Sequence, residues 1–83
     1  MEVKVVYLGL IADITGRKEE KVKLNSETKF SELLNIIFMK YPKLKELSKK
    51  LELIFLVNGL KYNGEDKLYD GDEIAIMTIP SGG

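Results

Sequence analysis

Few residues of this 83-residue sequence could carry chemistry, and the most unusual group stands at its end, where Pro80, Ser81, Gly82 and Gly83 follow the apolar run IAIMTI. Glycine loses more conformational freedom on ordering than any other residue, so a glycine pair adds nothing to a core. Taken alone, this ending has two readings: a frayed tail, or a slender segment held out for use. The next group is acidic, since Asp70, Asp72 and Glu73 in the stretch DGDE invite metal binding or acid-base work. That stretch is too short for a calcium loop and directly precedes a strand-like run, so it reads as a solvated turn, as does Glu65-Asp66. Lys49-Lys50 has neither interleaved aromatics nor a glycine-rich cradle and reads as solvated surface. The glycines of LGLIADITG lack phosphate-loop spacing, which sets that stretch aside as a nucleotide site.

Composition removes further classes. The sequence has no Cys, hence no disulfide, thiolate nucleophile or sulfur-ligated metal, and no His, the usual general base and commonest metal ligand. Most catalytic designs are lost with them, and no bound cofactor or metal is expected. Thirteen basic residues balance thirteen acidic ones, so no overall field favours nucleic acid or an anionic membrane as a partner. The start, MEVKVVYLGL, lacks a basic region ahead of a long apolar stretch, and no run approaches a membrane span; a cytoplasmic protein is expected.

The elements that must position the tail follow from periodicity. Val3, Val5 and Tyr7 alternate with Glu2, Lys4, Val6 and Leu8, the pattern of a strand. After the connection IADITGRKEE, with Thr15-Gly16 as its turn signal, Val22 and Leu24 alternate with Lys21 and Lys23, and the two strands should form a hairpin. Phe30, Leu33, Leu34, Ile37, Phe38 and Tyr41 then follow the helical series, with Thr28 as the expected N-cap and Pro42 forcing a stop near Lys40 or Tyr41. PKLKELSKKL supports a second short helix with Leu44, Leu47 and Leu51 inward. Asn58-Gly59 marks a two-residue hairpin, because both central positions of a type I′ turn need positive φ. The run EIAIMTI closes as a strand, Ile74 and Ile76 facing one way and Ala75 and Met77 the other.

The expected fold is therefore α+β: one mixed sheet with one main helix packed across it. With no repeat, linker or low-complexity segment, residues 1–83 read as one domain with a flexible tail at 80–83. The expected core is Val3, Val5, Tyr7, Val22, Leu24, Phe30, Leu33, Leu34, Ile37, Phe38, Phe55, Val57, Leu68, Ile74 and Ile76. The other strand faces are more apolar than a wet face should be. Val6, Leu8, Ile54, Leu56, Ala75 and Met77 would form one patch if the first and third strands both flank the last, and such a patch usually marks a partner surface.

This order of elements, with a glycine pair after the last strand, resembles the β-grasp fold of ubiquitin and its sulfur-carrier relatives, above all the small subunits of molybdopterin synthases. The likeness runs through VKVVYLGLIADITGRKEEKVKL, FSELLNIIFMKYP, LVNG and LYDGDEIAIMTIPSGG, almost the whole chain. The segment Gly9 to Arg17, which the shorter thiamine sulfur carriers generally lack, favours the molybdopterin branch. Two positions depart from the family's pattern. Met77 stands where a bulkier apolar residue, often aromatic, is usual, and Ile79 where a second proline often sits.

The resemblance implies that the working group is the α-carboxylate of Gly83. An E1-like adenylating enzyme would activate it with ATP, a sulfur donor protein would convert it to a thiocarboxylate, and the large molybdopterin synthase subunit would receive the sulfur. Gly82 would give clearance in a partner's channel, where a Cβ would clash, and Pro80 and Ser81 would lie in the segment that partners contact. Nucleotide and catalytic base would belong to those partners. The same fold and ending also serve ubiquitin-like protein modifiers and carriers for tRNA thiolation, the alternative function, and a plain β-grasp binding module is a third.

Overall fold

Alternation along the first strand, β1 (Glu2–Tyr7), organises the molecule, because its buried side, Val3, Val5 and Tyr7, becomes the centre of the core. The computed structural model describes residues 1–62 and 67–79. β1 is followed by a short helix, α1 (Leu10–Thr15), then β2 (Glu19–Lys23), the main helix α2 (Phe30–Lys40), α3 (Pro42–Ser48), β3 (Leu53–Val57), the two-residue β4 (Leu60–Lys61) and β5 (Glu73–Thr78). The five strands form one sheet in the order β2-β1-β5-β3-β4. β1 and β5 run parallel at its centre and the remaining pairs are antiparallel, so the sheet is mixed as expected.

α2 lays Phe30, Leu33 and Ile37 on the sheet, and Leu44 of α3 and Ile11 of α1 complete the same core against Ile74 and Ile76. Phe30 also meets the rings of Phe55 and Tyr62 edge-on, at centroid distances of 5.2 and 4.9 Å.

The structure corrects the sequence reading in several places. The connection IADITGRKEE holds all of α1 but its first residue, Leu10, and the helix's buried Ile11 was missing from the expected core; β1 and β2 do pair antiparallel, but through a helix. Thr15-Gly16 is the end of that helix: Gly16 adopts φ 80° and its N–H donates to the Ala12 carbonyl, a left-handed C-cap that favours glycine. Six residues are too few for a helical period to stand out. The N-cap of α2 is Lys29, whose N–H donates to Glu32 Oε1 at 3.3 Å, whereas Thr28 is buried and donates its hydroxyl to the Asn25 carbonyl at 2.6 Å. Val22, Leu34, Phe38, Phe55 and Val57 are half-buried against the core's margin rather than inside it. α2 rests its buried stripe over the middle of the sheet, and side chains flanking that stripe keep part of their surface in water. Leu51, expected inward, is 39% exposed, because α3 ends before it.

The Asn58-Gly59 turn has the expected backbone, φ 51° and 85°. DGDE is a turn too, yet it is bonded rather than merely solvated. Asp72 accepts from Asn58 Nδ2 at 3.0 Å and from the Tyr69 N–H at 2.8 Å, Asn58 Oδ1 accepts from the Glu73 N–H at 3.0 Å, and Asp70 accepts from the Glu2 N–H at 2.7 Å. These bonds clasp the β3-β4 turn to the starts of β1 and β5. Glu65 and Asp66 lie outside the described residues.

Candidate functional site

Because Val5, Tyr7, Ile74 and Ile76 turn inward, their neighbours in the central strands face away from the helices, and strand register decides which of them meet. Val6 lies beside Ala75 and Ala75 opposite Leu56, which makes one row across β1, β5 and β3. One step along, Met77 lies opposite Ile54, and the Leu8 N–H donates to the Ile76 carbonyl at 3.0 Å, carrying the parallel ladder far enough to set Leu8 beside Met77. The six apolar residues singled out in the sequence thus occupy two adjacent rows of one face. Five are half-buried and Leu8 is 39% exposed.

The rest of that face is charged. Lys4 sits between Glu19 and Glu73, with Nζ at 2.7 and 3.7 Å from their carboxylates, and Lys21 and Lys23 follow on β2. The ion pair with Glu19 chiefly raises the Lys4 pKa. The outer face is therefore divided lengthwise: ion pairs at the start of β5, bare aliphatic surface at its end. The last described residue, Ile79, continues exposed from the apolar end. Pro80, Ser81, Gly82 and Gly83 lie outside the described residues, so the geometry reaches the base of the tail.

The acidic triplet lies before and at the start of β5: Asp70 and Asp72 are committed to the clasp described above, and the Glu73 carboxylate faces Lys4. Among the described residues no group of three or more acidic side chains is placed to hold a metal ion, and no helix is long and apolar enough to cross a membrane.

One cluster was missed by the sequence reading. Glu20, on edge strand β2, points into the fold opposite Val5, and its side chain is only 6% exposed. Its carboxylate accepts from Tyr7 Oη at 2.6 Å and Tyr41 Oη at 2.5 Å, pairs with Lys40 Nζ, and lies 3.5 Å from Arg17 Nη1. Burial alone would raise its pKa, but hydrogen bonds from Lys40, Tyr41 and Tyr7 outweigh that and hold it at about 2. Burial first, and then the same carboxylate, push both tyrosines upward. The rings of Tyr7 and Tyr41 meet edge-on at 5.8 Å. The cluster ties β2 to the end of α2. Alternation of Val22 and Leu24 already implied that Glu20 faces inward; nothing local named its partners.

Comparison with known proteins agrees with this geometry. The chain is 32% identical over 83 residues to the molybdopterin synthase sulfur carrier subunit of Caenorhabditis briggsae, covering 100% of this chain and 99% of that one. Its fold matches small archaeal modifier protein 1 of Methanosarcina acetivorans with TM-score 0.79 and 28% identity, covering 99% and 96% of the two chains. SAMP1 of Haloferax volcanii matches with TM-score 0.85 over 100% of both chains at 19% identity, a likeness of fold. With a ubiquitin-like sheet and helix, these relatives, and a match of the ThiS family model across residues 5–83, the chain belongs to the ThiS family.

Proposed function

We propose that this protein is a sulfur carrier of the molybdopterin synthase type, and that the α-carboxylate of Gly83 is the group it delivers. The observation that carries the reading is the pair of apolar rows at the end of β5, next to the strand that leads into the Pro80–Gly83 segment. A partner that covers Leu8, Met77, Ile54, Val6, Ala75 and Leu56 holds the strand from which the tail departs. It thereby sets where the terminal carbon can reach, and positioning of that kind accounts for much of a transfer rate.

A carboxylate is a poor electrophile until one oxygen becomes a leaving group. Attack of the Gly83 carboxylate on the α-phosphorus of ATP, in an E1-like partner, releases pyrophosphate and leaves an acyl-adenylate. The terminal sulfur of a donor protein's persulfide then attacks the carbonyl and AMP departs, and a thiolate cleaves the S–S bond of the acyl persulfide, leaving the thiocarboxylate on this chain and a disulfide on the donor side. The resulting thiocarboxylate passes its sulfur on inside the large synthase subunit. This chain's share is recognition through the sheet face and reach through residues without bulky side chains.

The likeness to an archaeal modifier at 28% identity favours a second reading, in which a lysine ε-amine attacks the same activated carbonyl and forms an isopeptide bond. Copurification with a large synthase subunit favours sulfur transfer, and a ladder of lysine conjugates favours modification.

The test is ATP–pyrophosphate exchange and sulfur transfer with the cognate activating enzyme. Deleting Gly83 withdraws the reacting carbon by about 3.5 Å in an extended tail, and adding one residue caps the carboxylate as an amide; both should abolish transfer without moving the melting temperature. Wild-type rates from either altered tail would refute the assignment.

A further inference from the structure

The surface opposite the apolar rows carries a second set of unpartnered groups. α2 turns Ile36 and Met39 outward, at 43% and 83% exposure, and Met39 is the most exposed large apolar side chain among the described residues. Beside them the corner between α2 and α3 forms a groove of about 410 Å³, lined by Asn35, Phe38, Met39, Pro42, Lys45 and Glu46. Its apolar lining comes from Phe38, Met39 and Pro42.

Lys45 and Glu46 line the groove itself, and the segment that forms its α3 side is basic. Residues 40–50 hold Lys40, Lys43, Lys45, Lys49 and Lys50 against the single acid Glu46. Lys40 is committed to Glu20, but Lys43, Lys45, Lys49 and Lys50 are exposed and, among the described residues, take part in no ion pair. The chain is neutral overall, so this is a local concentration of charge rather than a general property.

We propose that the α2–α3 groove is a docking site for an acidic amphipathic helix of a partner protein. Methionine is flexible and polarisable, which suits it to a surface that repacks around a partner's aliphatic side chains, and an amphipathic helix lays its apolar stripe into grooves of this kind. Lys45 in the groove wall, with Lys43, Lys49 and Lys50 exposed on the same segment, selects the flanks of that helix: acidic residues there gain pairing and faster encounter, while basic ones are repelled. A protein segment fits better than nucleic acid, because the one aromatic in the lining, Phe38, is half-buried against the core and leaves no open ring face of the kind on which successive bases stack. Since α2 packs on the sheet's inner side, a helix bound here leaves Leu8, Leu56 and Met77 uncovered. A partner could then hold the protein while another works on the opposite face.

Isotope-labelled full-length protein titrated with designed helical peptides tests this. Each peptide has roughly 14 residues and the same leucine stripe, with glutamate, glutamine or lysine on its flanks; a single-stranded oligouridine serves as the nucleic-acid probe. The glutamate peptide should give saturable amide shifts at Ile36, Met39, Lys43 and Lys45, with a Kd below about 1 mM. Met39→Glu should weaken binding about tenfold, as should combined Lys43→Glu and Lys45→Glu. All three positions are exposed, so amide spectra of the free variants should retain the wild-type core pattern. Raising salt from about 50 to about 300 mM should weaken the wild type several-fold. Equal binding of the lysine peptide, shifts centred on Leu8 and Met77, no saturation by the glutamate peptide, or tighter binding of oligouridine to the same residues would each overturn the proposal.

Discussion

Two regions of the sheet break the rule that charge faces water and aliphatic carbon faces the core, and they break it in opposite directions. Glu20 carries a charge inward, and the rows of Val6, Ala75, Leu56 and of Leu8, Met77, Ile54 carry aliphatic surface outward. The inward charge is answered inside the chain, by two phenol hydroxyls and the Lys40 ammonium. Among the described residues the outward carbon has no such answer. A buried carboxylate would be costly if its partners were missing, so its satisfaction is part of folding. Exposed aliphatic surface at the end of β5 costs little while the chain is alone, so its return comes from whatever covers it. The first exception belongs to the fold; the second is the one that the proposed function assigns to a partner.

The comparison breaks if either region behaves like the other. Met77→Asp should have the largest effect, weakening complexes with a cognate activating enzyme and large subunit by about 3–5 kcal/mol, since charge at the centre of a desolvated contact cannot recover its hydration. The cost to the isolated fold should be about 1 kcal/mol, the range of strand propensities. Calorimetric titration and urea unfolding on one preparation separate the two numbers; unaltered affinity would place the interface elsewhere.

Glu20→Ala should do the reverse. It leaves Tyr7 Oη and Tyr41 Oη without their acceptor and should cost about 2–4 kcal/mol of stability. Partner affinity, measured below the variant's melting temperature, should not change. A loss of affinity at unchanged stability would make the cluster part of the interface.

The pH profile sharpens the same contrast. Glu20 is held at about 2 against an ordinary 4.5, so its contribution is fully present above the unfolded value and disappears as pH falls through that window toward the folded one. Wild-type stability should fall across this range, and Glu20→Gln should flatten the fall. An equally steep profile in the variant would show that other carboxylates govern acid unfolding.

The smallest effect is expected at the charged end of the outer face. Lys4 and Glu19 are each about half exposed, and such pairs contribute little after solvent screening. Lys4→Ala should leave the urea midpoint within error, and a clear drop would mean that the charged end stabilises the fold as the Glu20 cluster does.

Much of this was legible before any fold was drawn. Strand alternation in β1 and β5, the helical series from Phe30, the Asn58-Gly59 turn and the outward aliphatic residues are local patterns, each visible within about ten residues. The adjacency of the apolar rows needed one further fact, that β1 and β3 both flank β5, which the sequence reading stated as a condition and the register satisfies. Leu34 and Leu33 show the limit of periodicity. Both fit the helical series, and only the way α2 is turned about its own axis on the sheet buries Leu33 and leaves Leu34 at the margin.

By itself, the sequence determined the types of the main elements, the face each strand turns inward and the absence of histidine and cysteine chemistry. All of these depend on residue identity and short-range spacing. Tertiary structure alone decided that Tyr7, Lys40 and Tyr41 converge on Glu20 across separations of 13, 20 and 21 residues. It also decided that Asp70 bonds the backbone of Glu2 at a separation of 68, and that six aliphatic side chains from three strands become one surface. Contacts at such distances along the chain follow from strand order and helix crossing. Those are set by how the whole core packs, and no local pattern encodes them.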